Sequence, residues 1–135
     1  HAPHTLQEKN ADYLHAPSGL PLIQLSLPAM LELHPKGIFS LETILERMCH
    51  APARLFTISK RGFIREGYHA DITLVDLNNP FAVEQKNILS KCGWSPFEGQ
   101  TFQSTVSHVF VNGQLAYENG DSKSGIKVDR LMFDR

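Results

Sequence analysis

Hydrophobic residues along the chain follow two different periods, and the change comes near Lys60. Residues 1–19 show no sustained period. Pro3, Pro17, the Ser18-Gly19 pair and the polar run Gln7-Glu8-Lys9-Asn10 predict a loop there. Pro21 suits the first turn of a helix, where its missing N–H costs little. Leu22, Ile23, Leu25, Leu27, Met30, Leu31 and Leu33 follow, too densely for a single stripe, and predict a mostly buried helix ending near His34-Pro35-Lys36-Gly37. Pro28 inside it predicts a bend or a join between two short helices. Ser40 is the expected N-cap of a second helix, with Glu42 in its first turn. Leu41, Ile44, Leu45 and Met48 supply the i, i+3, i+4, i+7 face, and Cys49 is expected to pack on the buried side. Pro52 interrupts near the end, and residues 53–56 predict one more helical turn. Residues 20–56 are thus expected to be helical.

Beyond Lys60 the pattern is that of strands. Ala70-Asp71-Ile72-Thr73-Leu74-Val75-Asp76-Leu77 is rich in β formers, with Ala70, Ile72 and Leu74 expected on one face. Gly67 precedes it and Asn78-Asn79-Pro80 follows, which is how a strand is bounded. Residues 105–111 predict a second strand, Asn112-Gly113 a tight hairpin, and residues 114–118 its return. Residues 61–120 are expected to form a small β unit, and the charged tail after Gly120 to drape over the surface. No internal repeat or low-complexity stretch is present.

Composition narrows the classes. In 135 residues, 13 basic side chains stand against 14 acidic ones, for a net charge of −1. That balance leaves no basic footprint for nucleic acid or anionic lipid. No run approaches the roughly 18–20 apolar residues of a membrane helix. Cys49 and Cys92 are far apart and in no C-x-x-C arrangement, so a disulfide framework is not expected and a cytoplasmic location is. No positively charged start precedes an apolar run, so no signal peptide is expected.

The candidate chemistry is sparse. His1 and His4 are three apart, a spacing that can supply two metal ligands, but Pro3 holds the segment extended and no cluster nearby completes a site; a surface or hydrogen-bonded pair is the ordinary reading. His15, His34, His50, His69 and His108 are scattered, each expected to be hydrogen-bonded or solvated. Ala16-Pro17-Ser18-Gly19 precedes a helix, so its backbone groups can line a site or simply make a turn. The loop Cys92-Gly93-Trp94-Ser95-Pro96-Phe97-Glu98-Gly99 either closes a cleft or plugs an apolar gap with Trp94 and Phe97. Glu98 and Asp76 are acids with no base paired by spacing. No P-loop, G-x-S-x-G or G-x-G-x-x-G is present. Read from residues alone, the chain is a helical segment plus a small β unit.

Three stretches together resemble one family. His1-Ala2-Pro3-His4-Thr5, followed by Glu8-Lys9 and then Pro17-Ser18-Gly19, resembles the loop after the eighth barrel strand of dihydroorotase. Arg61-Gly62-Phe63-Ile64-Arg65-Glu66-Gly67-Tyr68-His69-Ala70-Asp71-Ile72-Thr73-Leu74-Val75-Asp76 resembles the segment by which amidohydrolases return to their small β domain. Lys91-Cys92-Gly93-Trp94-Ser95-Pro96-Phe97-Glu98-Gly99, with Val109-Phe110-Val111-Asn112-Gly113, resembles the ending of the same family. The middle stretch is shared with hydantoinases and allantoinases; the first and third favour dihydroorotase.

The resemblance implies an α/β chain: the C-terminal fragment of a (β/α)8 TIM-barrel amidohydrolase plus part of its small β-sandwich domain. Residues 1–60 would be the end of the barrel, with its closing loop and helices, and residues 61–135 the small β domain. It implies a zinc-dependent cyclic amidohydrolase interconverting L-dihydroorotate and N-carbamoyl-L-aspartate in pyrimidine biosynthesis, with a binuclear zinc centre that activates a bridging hydroxide. His4 matches the histidine that binds the substrate carboxylate, and Pro17 and Gly19 match positions whose backbone groups hold the pyrimidine ring edge. Ala2 would shape the pocket wall, and His1 would be structural or stand behind the metal ligands. The family's catalytic aspartate would immediately precede His1, and the metal ligands would lie upstream, so neither catalytic nor metal residues are expected here. The implied partners are the small-molecule substrate, the missing N-terminal part of the same protein and a second copy in a homodimer, with no nucleic acid and no membrane. The chain alone is expected to be inactive. The alternatives are a hydantoinase, dihydropyrimidinase or allantoinase, or a non-catalytic amidohydrolase-like structural partner of aspartate transcarbamoylase.

Overall fold

The structure, a computed structural model, describes residues 4–134. Short helices come first: α1 (Leu6–Lys9), α2 (Ser26–Leu31), α3 (Leu41–Leu45) and α4 (Ala51–Leu55). Strands follow: β1 (Ile72–Asp76), β2 (Phe81–Ala82), β3 (Thr101–Phe102), β4 (Thr105–Val111), β5 (Gln114–Glu118) and β6 (Asp121–Ser122). The change of period near Lys60 is thus a real change of structure.

The prolines set the helical details. A 3-10 turn over Ile23–Leu25 leads into α2, and Pro28 falls in the first turn of α2, where its N–H would have no intrahelical acceptor. Pro28 therefore marks a join. Pro21 precedes the first helical turn, not within it as expected, and residues 32–40 form turns, so the helical stretch is two pieces. Ser40 caps α3, its Oγ accepting the Thr43 N–H at 3.2 Å. Between α3 and α4 the helix widens into a π turn, Glu46–His50, in which the Ala51 N–H reaches back to the Glu46 carbonyl. Pro52, next in line, has no N–H and its ring would crowd the carbonyl four residues back; the wider turn relieves that clash.

The main sheet is antiparallel with strand order β1-β4-β5-β6, so β1 lies at one edge. Asn112 and Gly113 both have positive φ, 50° and 76°, as a type I′ hairpin requires. Two bulges bend the sheet: Ser107 is the extra residue of β4 opposite β1, and Ala116 the extra residue of β5 opposite β4. One face of β1 differs from the expectation. Leu74 is 46% exposed, whereas Ile72, as expected, borders the cleft toward the helices together with Thr73 and Val75. β2 and β3 form a separate two-stranded ribbon that the sequence pattern did not signal, since two residues are too few to show a period.

The core lies between the α2 segment and this ribbon. Leu25, Val83 and Phe102 are buried together, with Ala29, Phe81, Ile88 and Phe97 packed against them. Phe97 meets Phe102 edge-on, with ring centroids 5.4 Å apart. Gln24 fastens the helical side to the loop after the 3-10 turn Gln85–Asn87. Its amide donates to the Asn87 carbonyl at 2.7 Å, and its Oε1 accepts the Leu89 N–H at 2.8 Å.

A cleft of about 650 Å³ separates α3 and the π turn from β1, lined by Leu31, Ile44, Met48, Phe63, Thr73 and Val75 among others. Cys49 opens onto it and is exposed, so it is not the packing residue expected; the apolar walls nevertheless push its thiol pKa up by desolvation. Arg61, next to the cleft-lining Gly62 in sequence, is buried. Its guanidinium pairs with Asp71 and donates to Asn112 Oδ1 at 2.9 Å, while Asp71 Oδ1 accepts the Asn112 N–H at 2.8 Å. The tail does more than drape. It adds β6, crosses Gln114 at Lys127, and pairs back on residues 57–59, where the Met132 carbonyl accepts from Ser59 at 2.9 Å and the Asp134 N–H reaches the Thr57 carbonyl at 2.9 Å.

Gly62 is the tightest point of the packing. It has φ +78°, and a Cβ there would stand 2.4 Å from the Ala53 Cβ and 2.9 Å from the Cys49 carbonyl oxygen. Gly37 has φ +68° with nothing within 4 Å. Gly62→Ala is therefore expected to lose about 2–4 kcal/mol, combining a left-handed backbone with overpacking, and Gly37→Ala only about 1–2 kcal/mol. Urea midpoints for the two variants measure the difference; equal losses would show that the contact with Ala53 does not matter.

Candidate functional site

The loop over residues 4–19 holds the residues singled out as binding positions. It begins with a capping box. Thr5 Oγ1 accepts the Glu8 N–H at 3.3 Å, and Glu8 Oε2 accepts the Thr5 N–H at 2.6 Å and the Thr5 hydroxyl at 2.9 Å. These bonds, the backbone one foremost, favour the charged carboxylate and hold the Glu8 pKa below its ordinary value.

Lys9 closes the loop. Its ammonium donates to the Gly19 carbonyl at 2.9 Å and to the Pro17 carbonyl, drawing both positions together from eight and ten residues away. Between them Asp12 makes a turn of its own: Oδ1 accepts from the Leu14 and His15 N–H groups at 3.1 Å and meets His15 Nδ1 at 2.6 Å. Gly19 has φ +93° with open space around its α-carbon. With both carbonyls turned to Lys9, the Gly19 N–H takes no acceptor among the described residues and is available as a donor.

His4 is half-buried at the head of the loop. Its carbonyl accepts the Trp94 indole N–H at 2.7 Å, so the aromatic loop 92–99 reaches the candidate site. That loop plugs an apolar gap, as one of its two readings had it. Phe97 fills the core and Trp94, 9% exposed, abuts the 4–19 segment. Motif reading left Lys9 without a role and gave Trp94 only that of filling a gap, not of bonding to His4. Glu8-Lys9 was visible as part of a match, but its target lay in no local pattern, and the Trp94 contact spans 90 residues. His1 and Ala2, and with them the His1/His4 spacing, lie outside the described residues.

The other candidates are dispersed. His34 Nδ1 meets the Phe39 carbonyl at 3.2 Å, and His50 Nδ1 the Gly62 carbonyl at 2.6 Å. His69 lies 3.8 Å from Asp129, and His108 lies 3.6 Å from Glu118. Asp76 Oδ1 accepts the Asn78 N–H at 3.0 Å in a turn. Among the described residues no group of three or more His, Cys, Asp and Glu converges as a metal site, so the donor set present does not fit the zinc that the resemblance implies. What the loop presents is an imidazole and a backbone N–H, donors suited to the carboxylate and carbonyl oxygens of an anionic ring.

Comparison with known proteins bears on this geometry. The amidohydrolase family profile matches residues 30–117. The chain belongs to the amidohydrolase family. Among curated relatives, this amidohydrolase is 33% identical to the dihydroorotase of Pyrococcus furiosus over 132 residues, 98% of the chain and 31% of that protein. It is 34% identical to the dihydroorotase of Methanothermobacter thermautotrophicus, over 93% of the chain and 29% of that protein. Among solved structures, the L-hydantoinase (dihydropyrimidinase) of Arthrobacter aurescens superposes with a TM-score of 0.77 at 32% identity, covering 83% of the chain and 25% of that structure. The chain thus spans about three-tenths of the length of the curated relatives it matches. The mixed helix and sheet described above is the fold of one portion of such a protein.

Glu8 offers a test of how the amidohydrolase loop is held. A carboxylate whose pKa is depressed by folding adds stability above its unfolded value, and that stability is lost as pH falls through the folded value. Glu8→Gln removes the contribution. The wild-type protein is expected to exceed the variant in unfolding midpoint at about pH 6, with the gap closing toward about pH 3. A gap that stays constant across that range would show that the capping carboxylate is not responsible.

Proposed function

We propose that the chain is part of a dihydroorotase, a zinc-dependent cyclic amidohydrolase that interconverts L-dihydroorotate and N-carbamoyl-L-aspartate in pyrimidine biosynthesis. One observation supports this above the other amidohydrolase activities. The curated relatives that match over most of the chain carry the name dihydroorotase, at 33% identity over 98% of the chain and 34% over 93%.

In this reading residues 1–60 are the end of a (β/α)8 barrel with its closing loop and helices, and residues 61–135 are part of the small β-sandwich domain. Helices before residue 56 and strands after residue 71 support that division. The ligands of a binuclear zinc centre belong to the rest of the longer protein. This chain's own part is recognition: the His4 imidazole donates to the substrate carboxylate, the Gly19 N–H to the ring edge, and Pro17 shapes the turn between them. The balanced charge and the two free cysteines support a cytoplasmic enzyme, and the resemblance adds a homodimer. No helix among the described residues is long and apolar enough to cross a membrane.

The second reading, a hydantoinase or dihydropyrimidinase, rests on the 32% identity and 0.77 TM-score to the Arthrobacter aurescens L-hydantoinase. The two separate on substrate charge. The longer protein carrying this segment is expected to turn over dihydroorotate in preference to hydantoin; preference for the uncharged ring would overturn the first reading. A charge-assisted hydrogen bond contributes about 1.5–3 kcal/mol, so His4→Ala should raise KM for dihydroorotate about 10- to 100-fold and leave hydantoin nearly untouched. The isolated 135-residue chain should show neither stoichiometric zinc nor turnover, and finding both would refute the assignment of the metal ligands elsewhere.

A further inference from the structure

Residues 4–19 contain no buried side chain. Their internal hydrogen bonds, from Glu8, Lys9 and Asp12, join the segment to itself. Among the described residues a single hydrogen bond joins it to the rest of the chain, from Trp94 Nε1 to the His4 carbonyl at 2.7 Å. The geometry points to Trp94 as a positioning residue. We propose that its indole N–H fixes the backbone at His4 while Lys9 fixes Pro17 and Gly19, so that the imidazole and the Gly19 N–H meet one ligand at a set spacing. The proposal rests on the loop being the ligand-reading element of the function above.

Three features fit a strut better than mere satisfaction of an indole. Trp94 is 9% exposed and its loop is anchored: Phe97, three residues on, packs on the buried Leu25–Val83–Phe102 cluster. The loop is further held by Gln85, whose side-chain amide donates to the Gly93 carbonyl at 2.6 Å, and by Ser95 Oγ, which accepts the Phe97 N–H at 3.2 Å. At the other end the acceptor is the backbone of a residue whose side chain is the recognition group. A displacement of the His4 main chain moves its imidazole with it, and misplacing a hydrogen-bond donor by about 1 Å is enough to weaken it severely. Lys9 acts at the far end of the same segment, where its ammonium binds the Pro17 and Gly19 carbonyls and the Gly19 N–H has no acceptor among the described residues.

Trp94→Phe keeps an aromatic ring and removes the donor. In the longer protein, KM for dihydroorotate should rise about 5- to 10-fold with kcat within about 2-fold, the loss of one ordinary hydrogen bond's worth of placement. In a His4→Ala background the same change should add less than about 2-fold, because the group it places is gone. Additive effects in that double-mutant cycle, or equal falls in kcat and stability with KM unmoved, would overturn the proposal. A readout independent of substrate keeps it separable from the functional reading: amide exchange of residues 4–9 should accelerate in Trp94→Phe whether or not the protein turns over dihydroorotate. Unchanged exchange would defeat the strut even in an active dihydroorotase, and faster exchange in a protein inactive on dihydroorotate would defeat only the substrate assignment.

Discussion

The ion pair between Arg61 and Asp71 is the constraint on which most of the structure depends. Arg61 follows the helical half of the chain, Asp71 precedes β1, and Asn112 sits at the tip of the β4–β5 hairpin 41 residues farther on. One guanidinium and one carboxylate thus hold together three pieces of backbone. The hairpin tip is doubly fastened, since the Gly113 N–H also donates to the Ala70 carbonyl at 2.9 Å. Arg61 is the buried partner, whereas the Asp71 side chain keeps 33% of its surface exposed, so water screens the pair and it is worth less than a fully buried one. The arrangement is not fully satisfied: Arg61 Nε is buried and makes no hydrogen bond among the described residues. The pair therefore acts by fixing the geometry at one junction, where helix, strand and hairpin must meet.

From that junction the packing runs outward in two directions. Toward the helices, Gly62 lets the backbone pass against Ala53 and Cys49, and Phe63 stacks on His50 with ring centroids 4.4 Å apart, its other neighbours being the Arg65 and Arg54 guanidinium groups. Toward the ribbon, the Leu25–Val83–Phe102 core carries the 92–99 loop, and that loop carries Trp94 to the candidate site. The 4–19 loop stands at the end of this second chain of contacts, with no buried side chain of its own.

Local chemistry was legible in the sequence and long-range chemistry was not. Ser40 as a cap, Asn112-Gly113 as a hairpin and residues 105–118 as its two strands each follow from what neighbouring residues do to one another, and each stands where the pattern put it. The face of β1 was misjudged at Leu74, which is 46% exposed while Ile72 and Val75 border the cleft; the extra residue Ser107 in β4 shifts the register between Leu74 and Val75 and breaks the strict alternation the pattern assumes. Cys49 was misjudged because the helix face it shares with apolar neighbours borders an open cleft instead of a core. In the candidate site His4, Pro17 and Gly19 were named through family likeness. The residues that hold them, Lys9 and Trp94, could be assigned only once the fold brought 9 to 19 and 94 to 4.

The position of β1 at the sheet edge has a practical side. Its outer row of N–H and C=O groups is unpaired in the main sheet, Leu74 and Leu77 are 46% and 42% exposed, and an apolar cleft opens beside it. Charged residues or a proline within the strand would blunt such an edge, but Ile72–Asp76 carries one acid, at its last position, and no proline. Handled on its own in a concentrated preparation, this polypeptide would offer copies of itself a template for strand addition, and its solubility would be governed by that edge sooner than by its net charge.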